Sequence, residues 1–160
     1  MHAYYLDIAE VLARRLAMLD HPMRVDVSTD TEEKARQLRV IFPDAIVRVF
    51  PNRGSDVYPK IFGFEAEHAH HDVVLHLHTK RSAHSSHLAE WLPFLLDCLL
   101  PSPGGVNAIL EAFASTPRLG MVSPSHFPSL GAATNWGPNR AIAEVLTWVA
   151  GWPRLPDNGR

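Results

Sequence analysis

The segment His76-Leu77-His78-Thr79-Lys80-Arg81-Ser82 holds the densest set of chemically capable side chains. Two histidines two positions apart on an extended chain share one face. Two hydroxyls and two cations follow at once. That set suits a phosphate or diphosphate, with Lys80 as a point charge and Arg81 as a planar fork. A plainer reading has the imidazoles bonding locally and the cations solvated. His76 and His78 also have the spacing of metal ligands, and His68, His70, His71, His84 and His87 are near in sequence. A transition-metal site wants three or four converging ligands, and spacing alone does not make these converge.

Three further groups stand out. In Pro51-Asn52-Arg53-Gly54-Ser55-Asp56 an amide, a cation and a carboxylate share one loop, and Gly54 permits a close backbone turn. Asp56 also has the ordinary role of capping the next helix, and Asn52 that of stabilising the turn. Asp30 lies just past a strand, where α/β nucleotide sites place an acid on a sugar hydroxyl, and a helix cap explains it equally well. Trp136 beside Asn139 and Arg140 could line a sugar, or simply pack a turn. Cys98 reads as a buried free thiol. No P-loop, no Ser-His-Asp order and no G-x-G-x-x-G fingerprint appears.

The elements that must position these residues alternate in period. Ile8, Val11, Leu12, Leu16 and Leu19 predict a helix over about 7–19. A strand follows over 23–29, then a helix capped by Asp30 with Ala35, Leu38, Ile41 and Phe42 inward, then a strand over 45–50. A third helix is expected over 57–69, with Asp56 as its cap. Residues 72–79, DVVLHLHT, make the clearest strand. Leu88 to Leu99 and Pro103 to Phe113 read as helices, 118–124 as a last short strand, and Arg140 to Val149 as a final helix. This alternation predicts an α/β fold with a mostly parallel sheet and helices on both faces. Ligands of such sheets collect beyond the carboxyl ends of the strands, where each of the first three groups falls.

Composition narrows the function class. The chain has 160 residues and a net charge of −2, so no global field attracts nucleic acid. One cysteine excludes an internal disulfide framework. No apolar run reaches the ~18 residues of a membrane span, and the start is not a signal peptide. A cytoplasmic location is expected. Residues 1–150 read as one domain and 151–160 as a tail.

The motifs HAYYLDIAEVL, VSTDTEEKA, PNRGSDVYP, DVVLHLHTKRS, EWLPFLLDCLL, PRLGMVSP and WGPNR occur here in the order and approximate spacing of the rhamnan synthesis protein F family. The paired N-R-G-x-D and L-H-x-H-T-K-x-S motifs are the specific part, and the resemblance covers His2 to about Ala150. It implies a glycosyltransferase-like protein of bacterial cell-surface polysaccharide assembly (rhamnan or O-antigen), with dTDP-rhamnose as the leading donor. The element order also resembles the nucleotide-binding half of GT-A glycosyltransferases, a Rossmann-like arrangement. By that likeness Asp30 contacts the nucleoside, and Asn52 and Gly54 line the donor. His76-Leu77-His78 falls where a metal-binding D-x-D usually stands.

Two versions of the donor site follow. In the preferred one Lys80 and Arg81 neutralise the diphosphate directly, Arg53 and Thr79 also hold it, and Ser82 belongs to the donor site. In the other, His76 and His78 hold a divalent metal. Trp136, Asn139 and Arg140 are assigned to the acceptor side, the acceptor being a glycan or lipid-linked glycan at the inner face of the membrane. Relative to the family pattern the first strand looks almost absent and the acceptor half is not included, so the fold is read as truncated and no general base is named. The alternatives are a non-catalytic interaction domain of an assembly system and a histidine-metal hydrolase.

Overall fold

The computed structural model describes residues 1–52, 56–79, 88, 90–133, 139–151 and 153–155. They fall into two units, Met1–Pro124 and Ser125–Arg160.

The first unit is built on parallel backbone pairing. Strand β1 (Asp26–Thr29) pairs with β2 (Ile46–Val49), with Ser28 opposite Arg48. On the other side of β1 lies the start of the chain. His2 forms parallel bridges both to Ser28 and to His78. Ser28 N donates to Met1 O and Ala3 N to Ser28 O, while His2 N donates to Leu77 O and Thr79 N to His2 O. Met1–Ala3 therefore runs between β1 and residues 77–79. The spatial order is 46–49, 26–29, 1–3, 77–79, and the fold is α/β.

Side chains alternate across this sheet. Ala3 and Val27 point into one apolar layer with Ala9, Leu38 and Phe42. Leu77 joins Leu12, Leu96 and Leu100. These layers are covered by α1 (Leu6–Leu16), α2 (Glu32–Ile41) and α4 (Trp91–Leu99). The opposite face carries His2, Ser28, Arg48 and His78 as one cross-strand row. Over it lie a π-helical turn, Pro59–Gly63, and the short α3, Glu65–His68. Gly63 sits directly on Phe50. A Cβ there would stand 2.7 Å from the ring, so the close approach requires glycine.

Several sequence expectations need correction. Thr31, not Asp30, caps α2, its hydroxyl accepting from Lys34 N. The helix expected over 57–69 is present but broken: it starts at 57–58, continues as the π turn, bends at Phe64 and ends as the four-residue α3. Residues 72–79 form no full strand. Only 77–79 find ladder partners, on Met1–Ala3. Residues 118–124 form no strand either, because Leu119 N turns back to Thr116 O and leaves Met121 exposed. Helix α5 (Pro103–Ser115) forms as expected, capped by Ser102.

In the second unit a 3-10 segment, Pro128–Ala133, precedes α6 (Arg140–Val149). Ile142, Val145, Leu146 and Val149 make an exposed apolar stripe on α6.

Candidate functional site at the histidine-bearing sheet face

Beyond the cross-strand row, the face converges on one carboxylate. Asp56 Oδ2 lies 3.6 Å from His76 Nε2 and 3.6 Å from His78 Nδ1. These contacts are too long for direct hydrogen bonds but close enough to couple the groups electrostatically. The π turn brings Lys60 beside them, its backbone N–H donating to Asp56 O at 3.3 Å. His76 Nε2 is buried and has no hydrogen-bond partner among the described residues. Burial, with help from the Lys60 charge, pushes the His76 pKa down to about 4. His2 Nδ1 and Ser28 Oγ are 3.0 Å apart in the buried middle of the row. Burial lowers the His2 pKa too, against the opposing pull of Asp56 and Asp30. At neutral pH His76 and His2 are therefore neutral imidazoles on this face.

The carboxyl edge of the sheet is differently equipped. Thr79 Oγ1 accepts from Tyr4 N at 2.7 Å and from Tyr5 N at 2.9 Å. Helix α1 has no side-chain cap of its own at Tyr5, so Thr79 serves that turn from across the sheet. Asp30, just past β1, pairs with Lys34 Nζ at 2.7 Å. That ammonium also stands 3.7 Å over the Tyr4 ring. Within the cross-strand row, Arg48 binds Glu67 at 2.5 Å, and the guanidinium holds that carboxyl below its ordinary pKa.

The structure thus brings Asp56, His76 and His78 together, and sets Thr79 and Asp30 along the neighbouring edge. Asn52 is exposed in the loop after β2. Arg53, Gly54, Lys80, Arg81, Ser82 and Trp136 lie outside the described residues. Asn139 and Arg140 belong to the second unit, at the start of α6, where Arg140 pairs with Glu144 at 2.7 Å. Sequence reasoning missed His2, Tyr4, Lys34 and Lys60. The signal for Lys34 was present in its i,i+4 spacing from Asp30. His2 had none, because its place beside His78 is set by pairing across 76 positions.

Two imidazoles and one carboxylate are the cluster's donors, and no group of three or more His, Cys, Asp or Glu among the described residues could hold a metal ion. Among the described residues no helix is long and apolar enough to cross a membrane.

Comparison with known proteins gives the chain its family. The protein WxcX of Xanthomonas campestris pv. campestris (strain B100), described as uncharacterized, is 32% identical over 130 residues. The match covers 78% of this chain and 18% of WxcX. WxcX of strain ATCC 33913 matches with the same identity and coverage. The chain thus spans about a fifth of the length of these relatives. No solved structure matches it. The rhamnan synthesis protein F profile matches residues 1–150, and the chain belongs to that family.

Proposed function

We propose that this chain is the donor-side half of a glycosyl-transferring protein in rhamnan-type surface polysaccharide synthesis. Its ligand is a nucleotide-diphosphate sugar, dTDP-rhamnose first, held at the carboxyl edge of the parallel sheet. The observation that carries the reading is the strand order. In chain order the strands lie third, second, first, fourth, as in the first half of a Rossmann-like or GT-A-like sheet. The order reverses between Met1–Ala3 and residues 77–79, and ligands of such sheets bind at that crevice. Membership of a rhamnan synthesis family supports this choice of substrate class.

In this reading Lys80, Arg81 and Arg53, with Ser82, neutralise the diphosphate. Thr79 already accepts two amides and contributes only its O–H. Asp30, Asn52, Gly54 and Asp56 face the nucleoside or sugar. His78 and the neutral His76 are hydrogen-bonding groups, and no metal is required. Transfer goes to a hydroxyl of a glycan or lipid-linked glycan, with leaving-group charge stabilised by the cations. The acceptor side includes Trp136, Asn139 and Arg140. The protein works in the cytoplasm at the inner face of the membrane.

Calorimetric titration with dTDP-rhamnose, with and without EDTA, tests this. The reading expects saturable binding unchanged by EDTA and weakened at least about tenfold in Lys80→Ala. Strict metal dependence would sink the cation-only site. A second reading, a non-catalytic interaction domain, is favoured by the open apolar wall at Val73, Val74 and Leu75. It expects a folded chain that binds no nucleotide.

A further inference from the structure

Asp30 stands at the carboxyl end of β1, the strand beside Met1–Ala3. In nucleotide-binding parallel sheets an acid at that place accepts a hydrogen bond from the ribose 2′-hydroxyl. Here the acid is engaged within the chain. Its Oδ1 receives Lys34 Nζ at 2.7 Å and lies 3.5 Å from Thr29 Oγ1. This is not a loose surface contact, because the Asp30 and Lys34 side chains are only 13% and 24% exposed. Capping does not explain Asp30 either, since Thr31 caps α2.

A second contact fixes the ammonium. Lys34 Nζ stands 3.7 Å from the centre of the Tyr4 ring, so it is held between a carboxylate and an aromatic face. Tyr4 is anchored in turn. Its N–H donates to Thr79 Oγ1 at 2.7 Å, and its ring meets the Tyr5 ring edge-on at 5.0 Å. The end of β1, the first turn of α2 and the turn into α1 thus hold the pair at the carboxyl edge. The consequence concerns one oxygen atom. A free carboxylate offsets the hydration that a ribose 2′-hydroxyl loses on binding. A carboxylate whose charge an ammonium neutralises offsets less of it. A 2′-deoxyribose has no hydroxyl there to desolvate.

We infer that the Asp30–Lys34 pair, fixed by Tyr4, makes the nucleoside subsite select a 2′-deoxyribonucleoside diphosphate over its ribose counterpart. The inference rests on the donor-site reading above and names the residues that set its nucleotide specificity. The probes are two pairs that differ at C2′ alone, dTDP against ribothymidine diphosphate and dUDP against UDP. Each is titrated into the full chain by calorimetry. Each deoxy form should bind about fivefold tighter than its ribose partner, whatever the 5-methyl group adds. Lys34→Met releases Asp30 to accept the 2′-hydroxyl and should reverse the order in both pairs. Should that variant misfold, Asp30→Asn is the second test. An amide can donate or accept, so the deoxy preference should vanish. Equal binding within the pairs, or a deoxy preference unchanged in either folded variant, would overturn the inference and leave the donor site standing. No binding of any of the four would overturn the donor-site reading and the inference together.

Discussion

One face of the four-segment sheet carries Ala3, Val27 and Leu77; the other carries His2, Ser28, Arg48 and His78 on the same backbones. The apolar face is closed by three helices, and Leu12 and Leu38 there are fully buried. The polar face is covered by a π turn and a single helical turn, and its groups stand apart at distances such as 3.6 Å. Hydrophobic burial is non-directional and rewards close covering. Polar groups lose hydration when covered and must each find a partner. The same strands therefore give stability on one side and an incompletely satisfied polar layer on the other.

The sharpest way to break this contrast is to damage each face and compare the costs. Leu12→Ala should destabilise the chain by about 3 kcal/mol, read from the urea midpoint, because it opens a cavity between α1 and α4. A cost below ~1 kcal/mol would mean the apolar face is not the stabilising one.

The next effect belongs to the polar face and to pH. The His76 pKa is about 4 in the folded chain against an ordinary 6.5, so the unfolded chain binds more protons between those values. Stability is then complete above pH 6.5 and falls as pH drops toward 4. The loss from this group reaches about 3 kcal/mol at most. Urea titrations at pH 7 and 4.5 measure it. His76→Gln should flatten the slope, and an unchanged slope would remove His76 as its source.

Thr79→Val is expected to cost about 2 kcal/mol, since it leaves the amides of Tyr4 and Tyr5 without their acceptor. Thr79→Ser should restore most of it. The smallest effect is Ser28→Ala, about 1 kcal/mol, from the lost partner of His2 Nδ1. If Ser28→Ala cost as much as Leu12→Ala, the two faces would not differ in the way described.

How much of this was legible beforehand follows from range. Helices α1, α2, α4, α5 and α6 are written in local spacing and end near their predicted positions, α4 just before Pro101 for instance, because period and breakers are short-range signals. Strand β2 was equally local. The strand over 72–79 read most clearly, yet formed only at its end, because a strand exists only where a partner runs beside it. Asp56 was seen as a site residue and also as a cap. Its meeting with His76 and His78 depends on the π turn, which no spacing rule in 57–63 announces. The capping role of Thr79 was invisible because its two donors lie 75 and 74 positions away. The family resemblance was carried by loop motifs, which is where function concentrates.

The most direct test of the central claim is an NMR titration of the ¹⁵N-histidine-labelled chain with dTDP-rhamnose. The account predicts progressive, saturable shifts of the His76 and His78 imidazoles, at the polar face and its carboxyl edge, while His21, beside Asn107, stays still. Shifts confined to His21, or none at saturating nucleotide sugar with the fold intact, would contradict it.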